Sequence, residues 1–492
     1  MAYQELNSKP YNKKIVWKIA LNASIGSFIF GYNTGVFNSN QLNVAATLGW
    51  GGNENLYISI MAAMMPFGGL FGALFAGTIA QKIGRRKALM LMDVINIFGC
   101  VFFICPYTSA FALGRFITGY TTGSFSVLSP LYIGETSPPD IMGTIGSLCG
   151  LILAVGIMVA YAMALPLPTG DYHSDPLNYW WIFMFVFQAL FTAFQFFVLW
   201  KVYKEDTPIW LLSKKQDQKA LKSSMQYYNE DEAVKVIQKL RASMSADRDK
   251  TLEAIEKEVP ETATSEKPKE IDNSKRQTDY TYKELLCCSK KSRKMMRLGI
   301  LVNVFQVAAG VDALFAYTTK IFSELGGGVF ESRAYTVVFG VVTVISTLAV
   351  FPVVDRFNRK TLILLGNGGM FITMFFLGLF AEEFSGSGPI PSLVFVLLYV
   401  LAWSIGLGTI CWVYSGEILT SRAISICIGV NWIVIISVIF TFPHIASWFS
   451  IGIAFWVYAV ISALGIVYFL IEFVETKGLD STQIKEAFDK YK

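Results

Sequence analysis

The sequence predicts an all-α membrane protein of twelve transmembrane helices, arranged as two pseudo-symmetric bundles of six. Three observations predict this fold class. Only 16% of the 492 residues are charged and the mean hydropathy is +0.48, values typical of chains that are solvated by a bilayer. Apolar runs long enough to cross about 30 Å of hydrocarbon as helices recur along the chain. The loops between them alternate between rich and poor in Lys and Arg.

The twelve apolar runs define the predicted spans, because backbone groups in hydrocarbon must find their hydrogen bonds within a helix. The first run carries no A-x-A-like cleavage site, so we expect it to remain as a span rather than act as a removed signal. The predicted spans cover residues 16–37, 57–80, 88–106, 111–134, 144–166, 180–202, 298–322, 334–354, 361–381, 391–415, 424–443 and 449–472.

A polar segment between the sixth and seventh spans divides the chain into two sets of six helices. Its middle, 246–279, is charged and almost without aromatic residues, which is typical of disorder. Its flanks, 209–244 and 280–297, carry apolar residues at helical spacing and predict amphipathic helices under the membrane domain. The predicted domains are an N-terminal bundle at 1–202, a linker at 203–297, a C-terminal bundle at 298–472 and a tail at 473–492.

The distribution of positive charge predicts the orientation. An even number of spans puts both termini on one side of the membrane. Of the 41 Lys and Arg residues, all but Arg115, Lys320 and Arg333 fall on that side. Because basic loops stay in the cytosol, we expect cytosolic termini, and the plasma membrane is the membrane that we expect.

The two halves repeat one another at matching loops. Gly84-Arg85-Arg86-Lys87 follows the second span, and Asp355-Arg356-Phe357-Asn358-Arg359-Lys360 follows the eighth. Glu135 ends the fourth span as Glu417 ends the tenth. Two related six-helix bundles indicate a transporter whose site lies between them, near the middle of the membrane.

Further motifs follow in order along both halves. They are Gly31-Tyr32-Asn33-Thr34-Gly35-Val36, Gly114-Arg115-Phe116, Pro130-x-Tyr132-x-x-Glu135-x-x-Pro138, Gly310-Val311-Asp312-Ala313, Asn431-Trp432 and Glu475-Thr476-Lys477-Gly478. Together with the repeated loops, this set resembles the sugar porter family of the major facilitator superfamily over nearly the whole chain. The resemblance implies alternating access of a central cavity to the two sides, with a hexose or related small polyhydroxylated solute as substrate.

Charged residues at the helix ends are predicted to gate the cavity. Basic side chains there bind carboxylates and the carbonyls of helix C-termini, and the resemblance implies that such pairs close the cytosolic side when the cavity opens outward. The plainer interpretation is that they anchor loops and set the topology. The predicted gating residues are Tyr317 on the external side and Arg85, Arg86, Glu135, Asp355, Arg359, Glu417 and Arg422 on the cytosolic side.

Sugar recognition needs neutral hydrogen-bonding groups and an apolar surface for the C–H face of the ring. By position, Gln306, Trp412 and Asn431 match sugar-binding residues of the family. The further candidates are Asn33, Thr34 and Thr343. Several family residues are replaced, by Gly150 in span five, Val307 and Asp312 in span seven and Ser404 in span ten. The Gly-Pro-x-Pro kink of span ten becomes Gly406-Leu407-Gly408-Thr409-Ile410-Cys411, so the rigidity of proline is lost.

Asp312 is the most informative of these replacements, because a carboxylate within a span is costly unless it faces water, a partner or substrate. Three interpretations stay open. Asp312 carries a proton that is coupled to transport, binds a cationic or heavily hydroxylated substrate, or acts as an Asn-like acceptor for a neighbouring helix. Asn33 favours facilitated diffusion, since proton-linked relatives carry an aspartate there. The alternative is a proton-coupled sugar or polyol symporter that uses Asp312.

The altered sugar site also suggests a function of another class, a membrane sensor or a structural subunit of a larger complex that no longer transports. The sequence carries no nucleotide-binding loop, metal-ligand cluster or nucleophilic triad, so we predict neither an enzyme nor a cofactor nor a metal site. The net charge of +5 follows the topology and does not indicate nucleic-acid binding. The predicted partners are a small hexose-like solute, the lipid bilayer and, under the coupled alternative, protons.

Overall fold

The structure is a computed structural model that describes residues 11–138, 141–170, 176–242, 290–354, 356–383, 389–419, 421–479, 483–484 and 487–488. Within these ranges the chain is helical, with one isolated antiparallel bridge between Tyr11 and Tyr228. The predicted disordered middle of the linker, the predicted gating residue Asp355 and the side chain of Arg422 lie outside the described residues.

Twelve helical segments follow the twelve predicted spans. Spans one, seven and ten are each built from more than one helix. The segments are Lys13–Ala23 with Ile25–Gly35, Glu54–Ile83, Arg85–Val101, Thr108–Thr136, Leu148–Ala162, Trp180–Lys201, Lys290–Ala308 with Val311–Glu324, Val329–Val354, Arg359–Glu383, Ile390–Trp403 with Thr409–Ile418, Ser421–Trp448 and Ile451–Glu472.

Ten of the described segments are long and apolar enough to cross a membrane. The two others are spans four and five. Span four, Thr108–Thr136, has the length but carries many Thr, Ser and Gly residues. Span five, Leu148–Ala162, is apolar but only 15 residues long, and the short helix Met142–Gly146 precedes it. The polar content of span four is used inside the protein, because Thr118, Thr121, Thr122 and Ser124 are all buried.

The helices pair in the same way in both halves. Spans one and five pack together as do spans seven and eleven, and spans three and six pack together as do spans nine and twelve. The halves meet where span two packs on span eleven and span five packs on span eight. Span two of the first half corresponds to span eight of the second, and span five corresponds to span eleven, so the two contacts are equivalent. This equivalence is expected for a pseudo-two-fold axis along the membrane normal.

Small residues bring the helices of each bundle into backbone contact. A side chain at Gly119 would meet the carbonyl oxygen of Met65, and one at Gly123 would meet that of Gly69. Spans two and four therefore touch backbone to backbone, which a Cβ atom at either position would prevent. Gly119 and Gly123 are therefore packing residues.

Two spans are broken near the middle of the C-terminal bundle. Gly310 ends the first helix of span seven with a φ of 95°, a left-handed conformation that favours glycine. Span ten passes through a π-helical turn, Ser404–Gly408, in which Gly406 has φ −94° and ψ −110°. A side chain at Gly406 would approach Gly366 Cα to 2.7 Å. The kink of span ten thus persists without the prolines, because close packing against span nine replaces their rigidity.

Three helices of the linker lie beside the N-terminal bundle, at Pro208–Ser213, Asp217–Ser224 and 230–242. They pack on one another around Leu211, Leu212, Ala220 and Ile237. The Trp210 indole donates to the carbonyl oxygen of Gln81 at the end of span two, at 2.9 Å. We call the face of the protein that carries these helices the linker face, and the opposite face the far face.

Candidate functional site

A small cavity of about 50 Å³ lies between the two bundles. Spans one, two and four form one wall, and spans seven and eleven form the other. The lining residues are Phe30, Asn33, Thr34, Phe37, Asn38, Ala62, Met65, Pro66, Arg115, Asp312, Ala316, Trp432, Ile435 and Ile439.

Asn33 holds three spans of the N-terminal bundle together. Its Nδ2 donates to Thr122 Oγ1 at 3.1 Å and to Gln188 Oε1 at 2.8 Å, and its Oδ1 accepts from Gln188 Nε2 at 3.0 Å. All three side chains are fully buried. A neutral amide is suited to this place, because it both donates and accepts where a carboxylate only accepts. Thr34, the next predicted residue, also lines the cavity and donates to the carbonyl oxygen of Phe30 at 3.0 Å.

Arg115 brings a positive charge to the same wall. Its Nε donates to the carbonyl oxygen of Met61 at 3.2 Å and its Nη1 to that of Asn33 at 3.4 Å. The guanidinium carbon lies 5.2 Å from the centre of the Phe37 ring, a cation–π distance. In the sequence, Arg115 is one of the three basic residues that do not fall on the side of the termini. This exception to the charge distribution was the signal that could have identified it as a cavity residue.

Asp312 lines the cavity from the C-terminal wall. It lies in the first turn of the helix Val311–Glu324, just after the break at Gly310. Its side chain lines the cavity and is partly exposed there. Within the described part of the chain, no group donates a hydrogen bond to its carboxylate and no basic side chain forms an ion pair with it. Asp312 is therefore available to a ligand.

Two predicted substrate residues of the C-terminal bundle bind each other. Asn431 Nδ2 donates to Gln306 Oε1 at 3.0 Å and to the carbonyl oxygen of Asn303 at 3.2 Å. Both predicted side chains are buried behind the wall, and neither lines the cavity. Trp432, which the sequence interpretation did not select, lines it instead, with its ring centre 5.7 Å from that of Phe30. Neighbouring residues of a helix point in directions about 100° apart. Trp432 can therefore line the cavity while Asn431 points to Gln306.

Thr343 and Trp412 also lie apart from the cavity lining. Thr343 is buried in span eight and donates to the carbonyl oxygen of Phe339 at 2.8 Å. The Trp412 side chain is 47% exposed. Their assignment to the substrate site stays a prediction.

The far face is closed by hydrogen bonds between the two halves. Asn38 Nδ2 donates to the carbonyl oxygen of Phe315 at 2.8 Å, and Asn38 Oδ1 accepts from the amide of Thr319 at 3.1 Å. The Tyr161 hydroxyl donates to the same Phe315 oxygen at 2.9 Å. Tyr317, the predicted external gate residue, is buried in this region and donates to the carbonyl oxygen of Ile439 at 2.9 Å.

Arg333 joins the halves further out on the far face. Although it begins span eight of the C-terminal bundle, it donates to the carbonyl oxygens of Leu167 at 2.5 Å and Pro168 at 3.1 Å. Its Nη2 also donates to Asn43 Oδ1 at 2.9 Å. Only 1% of Arg333 is exposed. All three acceptors belong to the N-terminal bundle, so this side chain crosses the interface.

The linker face of the N-terminal bundle is held by a charged network. Arg85 donates from Nε at 2.9 Å and from Nη2 at 2.7 Å to Glu135 Oε1, and the Thr207 hydroxyl donates to Glu135 Oε2. Asp206 Oδ1 accepts from the Arg85 amide at 2.9 Å and so caps span three. Burial raises the pKa of the Asp206 carboxyl, and the amide hydrogen bonds that it accepts oppose this shift. Arg86 Nε donates to the carbonyl oxygen of Leu199 at 2.8 Å.

The C-terminal bundle repeats this network. Arg359 Nη2 donates to Glu417 Oε1 at 3.2 Å, and the Thr476 hydroxyl donates to Glu417 Oε2 at 2.5 Å. Glu475 accepts from the amides of Arg359 and Lys360 at 3.0 Å each and caps span nine. In this structure, each Arg–Glu pair joins helices of its own bundle. The two threonines were missed, although an acidic residue followed by Thr after spans six and twelve was a visible signal.

The site has the chemistry of solute binding rather than of catalysis. Among the described residues, no group of three or more His, Cys, Asp or Glu side chains has the geometry to hold a metal ion. The lining combines amide, hydroxyl, guanidinium and carboxylate groups with aromatic and aliphatic surface. Such a mixture binds a small ligand that has both polar groups and an apolar face.

Comparison with known proteins agrees with this fold. A family model described as "Sugar (and other) transporter" matches residues 19–488. The facilitated trehalose transporter Tret1 of Drosophila pseudoobscura pseudoobscura is 27% identical over 93% of this chain and 49% of its own length, so this chain spans about half of that relative. The glucose transport protein of Synechocystis is 27% identical over 95% of this chain and 96% of its own length.

Solved structures show the same architecture. The xylose transporter XylE from E. coli, in a partially occluded inward-open conformation, superposes with a TM-score of 0.76 at 21% identity, over 95% of this chain and 100% of that chain. The predicted fold class is confirmed, and the protein is an integral multi-pass membrane protein. Because the family model covers nearly the whole sequence, this chain belongs to the family described as "Sugar (and other) transporter".

Proposed function

We propose that this protein moves a hexose or a related small polyhydroxylated solute across the membrane by alternating access, as facilitated diffusion. The observation that carries the proposal is the cavity between the bundles, which takes lining residues from both halves while hydrogen bonds between the halves close its far face. A site of this kind changes its accessible side when the halves rock. The names of the relatives, transporters of trehalose and of glucose, support a sugar as the class of solute.

We assign the binding roles by position and by contact. Asn33, Thr34 and Asp312 lie on the cavity lining. Gln306 and Asn431 form a hydrogen-bonded pair behind it, from which a rotation of span seven or eleven would release their donors and acceptors to a ligand. Thr343 and Trp412 are proposed as contacts that form when the cavity changes shape.

The gating roles follow the two faces. Tyr317 is proposed to close the far side. The basic and acidic residues of the linker face are proposed to close the other side when the far face opens, with partners exchanged between the bundles. These residues are Arg85, Arg86, Glu135, Asp355, Arg359, Glu417 and Arg422.

Uptake into proteoliposomes tests the proposed function. The purified full-length chain should take up radiolabelled D-glucose or a related hexose saturably, with the same initial rate whether or not a pH gradient is imposed. Protein-free liposomes and L-glucose are the controls. If no sugar enters saturably, transport is contradicted and the sensor or structural-subunit alternative is favoured, which stoichiometric co-purification of other subunits would then support.

A proton-coupled sugar or polyol symporter is the second candidate. It is favoured by the unpaired carboxylate of Asp312 in the cavity, since such a group holds or releases a proton as its surroundings change. An inward pH gradient should then drive accumulation of a neutral sugar above equilibrium, and Asp312→Asn should abolish the accumulation while exchange continues. Uptake that is insensitive to the gradient contradicts this candidate.

The orientation and the domain boundaries remain proposals. We propose that the linker face and both termini are cytosolic, that the protein lies in the plasma membrane, and that the domains are 1–202, 203–297, 298–472 and 473–492. The excess of Lys and Arg in loops of the linker face supports the orientation. Protease protection of a tag at either terminus, in intact cells, tests it.

A further inference from the structure

On the basis of the proposed transport function, we infer that the preferred substrate is an amino sugar, and that Asp312 selects its ammonium group. The inference rests on three features of the cavity, which are the unpaired carboxylate of Asp312, the hydrogen bonds that hold Arg115 to its own bundle, and the aromatic surface of the lining. It narrows the solute class from neutral hexoses to polyhydroxylated rings that carry one positive charge.

Among the described residues, the carboxylate of Asp312 has no compensating group. None of them donates a hydrogen bond to it or forms an ion pair with it, although it lies within a membrane span. An ionised carboxylate within a span is costly when it has no partner. A ligand that brings an ammonium group removes this penalty, whereas a neutral sugar does not.

Arg115 does not supply the missing charge. Its guanidinium donates to the carbonyl oxygens of Met61 and Asn33 and lies over the Phe37 ring. Within the described residues, it forms no ion pair with a carboxylate. Asn33 is likewise engaged with Gln188 and Thr122. Arg115 is therefore engaged with carbonyl oxygens of its own bundle, and Asp312 is the single acidic residue among those that line the cavity.

The rest of the cavity suits a sugar ring. Trp432 and Phe30 lie on facing bundles with their ring centres 5.7 Å apart. Aromatic faces bind the C–H surface of a pyranose, and they also attract a cation. A ligand that places its ring against these side chains and its ammonium on Asp312 uses both kinds of surface. A small aliphatic amine would use the carboxylate alone.

Competition and direct uptake in proteoliposomes test the inference. The full-length protein is assayed at equal pH on both sides, at a pH that keeps the amine protonated, with D-glucosamine, D-glucose and N-acetyl-D-glucosamine. We expect half-saturation for glucosamine at a concentration about tenfold lower than for the two neutral sugars, as befits a charge-assisted hydrogen bond. Asp312→Asn should bring the half-saturation concentrations of glucosamine and glucose to about the same value, because the amide carries no charge to attract the ammonium group.

Asp93→Asn is the matched control. Asp93 is fully buried in span three, and both of its carboxylate oxygens lack a hydrogen-bond partner among the described residues, but it does not line the cavity. Its replacement also removes a carboxylate from a span. Because this carboxylate lies outside the cavity, the ratio of the half-saturation concentrations of glucosamine and glucose should stay unchanged. Asp312→Glu, which keeps the charge, should retain part of the preference.

Several results would overturn the inference. If the wild-type protein has the same half-saturation concentration for glucosamine and glucose, the inference is contradicted even when the variants fail to fold. An equal loss of both sugars in Asp312→Asn would make the residue structural. Accumulation of glucose driven by a pH gradient and lost in Asp312→Asn would assign a proton to the carboxylate instead. In these cases the proposed transport function stands, whereas absence of saturable uptake of every sugar contradicts both.

Discussion

The two faces of the molecule use polar side chains in opposite ways. At the far face, Asn38 and Arg333 connect one bundle to the other. At the linker face, Arg85–Glu135 and Arg359–Glu417 connect helices within one bundle. The bonds between bundles must break when the far face opens, whereas bonds within a bundle move with it. The hydrogen bonds of the far face therefore stabilise the conformation that is closed on that side. Those of the linker face make each bundle more rigid.

Removing Arg333 should destabilise the closed far face more than any other change proposed below. Arg333→Ala deletes three buried charge-assisted hydrogen bonds and leaves their acceptors in the interface. We expect the closed far face to lose about 2–4 kcal/mol relative to the open one. The measurement is labelling of a cysteine at position 316, introduced by Ala316→Cys on the cavity wall, with a membrane-impermeant maleimide applied to the far side. The labelling rate should rise more than about tenfold.

Lys320→Ala is the control for this labelling. Lys320 also reaches across the far face, to Asn55 Oδ1 at 2.8 Å, and it pairs with Glu324 at 3.8 Å with 21% of its side chain exposed. The Glu324 side chain is 40% exposed, and a pair that is open to solvent contributes about 0–1 kcal/mol, so the labelling rate should change little. Replacement of the exposed Cys105 by Ser removes background labelling. A small effect of Arg333→Ala, equal to that of Lys320→Ala, would show that Arg333 does not hold the face closed.

The fold could be predicted from the sequence to a large extent because the bilayer limits the solutions. Hydrogen bonds must close within each span, so the length of the apolar runs alone located the twelve helices. The breaks were harder to predict. Gly310 needs a left-handed conformation, and Gly406 needs the close approach of Gly366, which is a property of tertiary packing rather than of either segment.

The site could be predicted only in part. Asn33, Thr34 and Asp312 were identified and line the cavity, but Gln306 and Asn431 point to each other. The identity of a polar residue in a span shows that it needs a partner. The helix rotation, which the sequence leaves open, decides whether that partner is a ligand or another side chain. For the same reason, Arg333 was counted as a marker of topology before the structure showed its role between the bundles.

Asn38 offers a milder test of the far face. Asn38→Ala removes one donor to Phe315 and one acceptor for the Thr319 amide, both neutral bonds in a buried region. Tyr161 remains bonded to the same carbonyl oxygen. We expect a loss of about 1–2 kcal/mol from the closed state and a smaller rise in labelling at position 316 than Arg333→Ala produces. A larger rise would place the main lock at span one rather than span eight.

The two networks of the linker face should differ in strength, and this is the smallest of the expected effects. Arg85 makes two hydrogen bonds to Glu135, and the two side chains are 11% and 9% exposed, whereas Arg359 makes one longer bond to Glu417, which is 26% exposed. Glu135→Gln should lower the stability by about 1–2 kcal/mol and Glu417→Gln by about 0.5–1 kcal/mol. Melting temperatures in detergent show which of the two variants loses more stability.

Glu205→Gln provides the reference for these melting temperatures. Glu205 pairs with Lys222 at 2.9 Å on the same face, but 72% of the Lys222 side chain is exposed, so the change should leave the melting temperature within error. A decrease for Glu417→Gln that equals or exceeds that for Glu135→Gln would mean that Thr476 and Glu475 compensate for the longer ion pair. The stiffness of the two bundles would then be equal, and rocking would deform neither half more than the other.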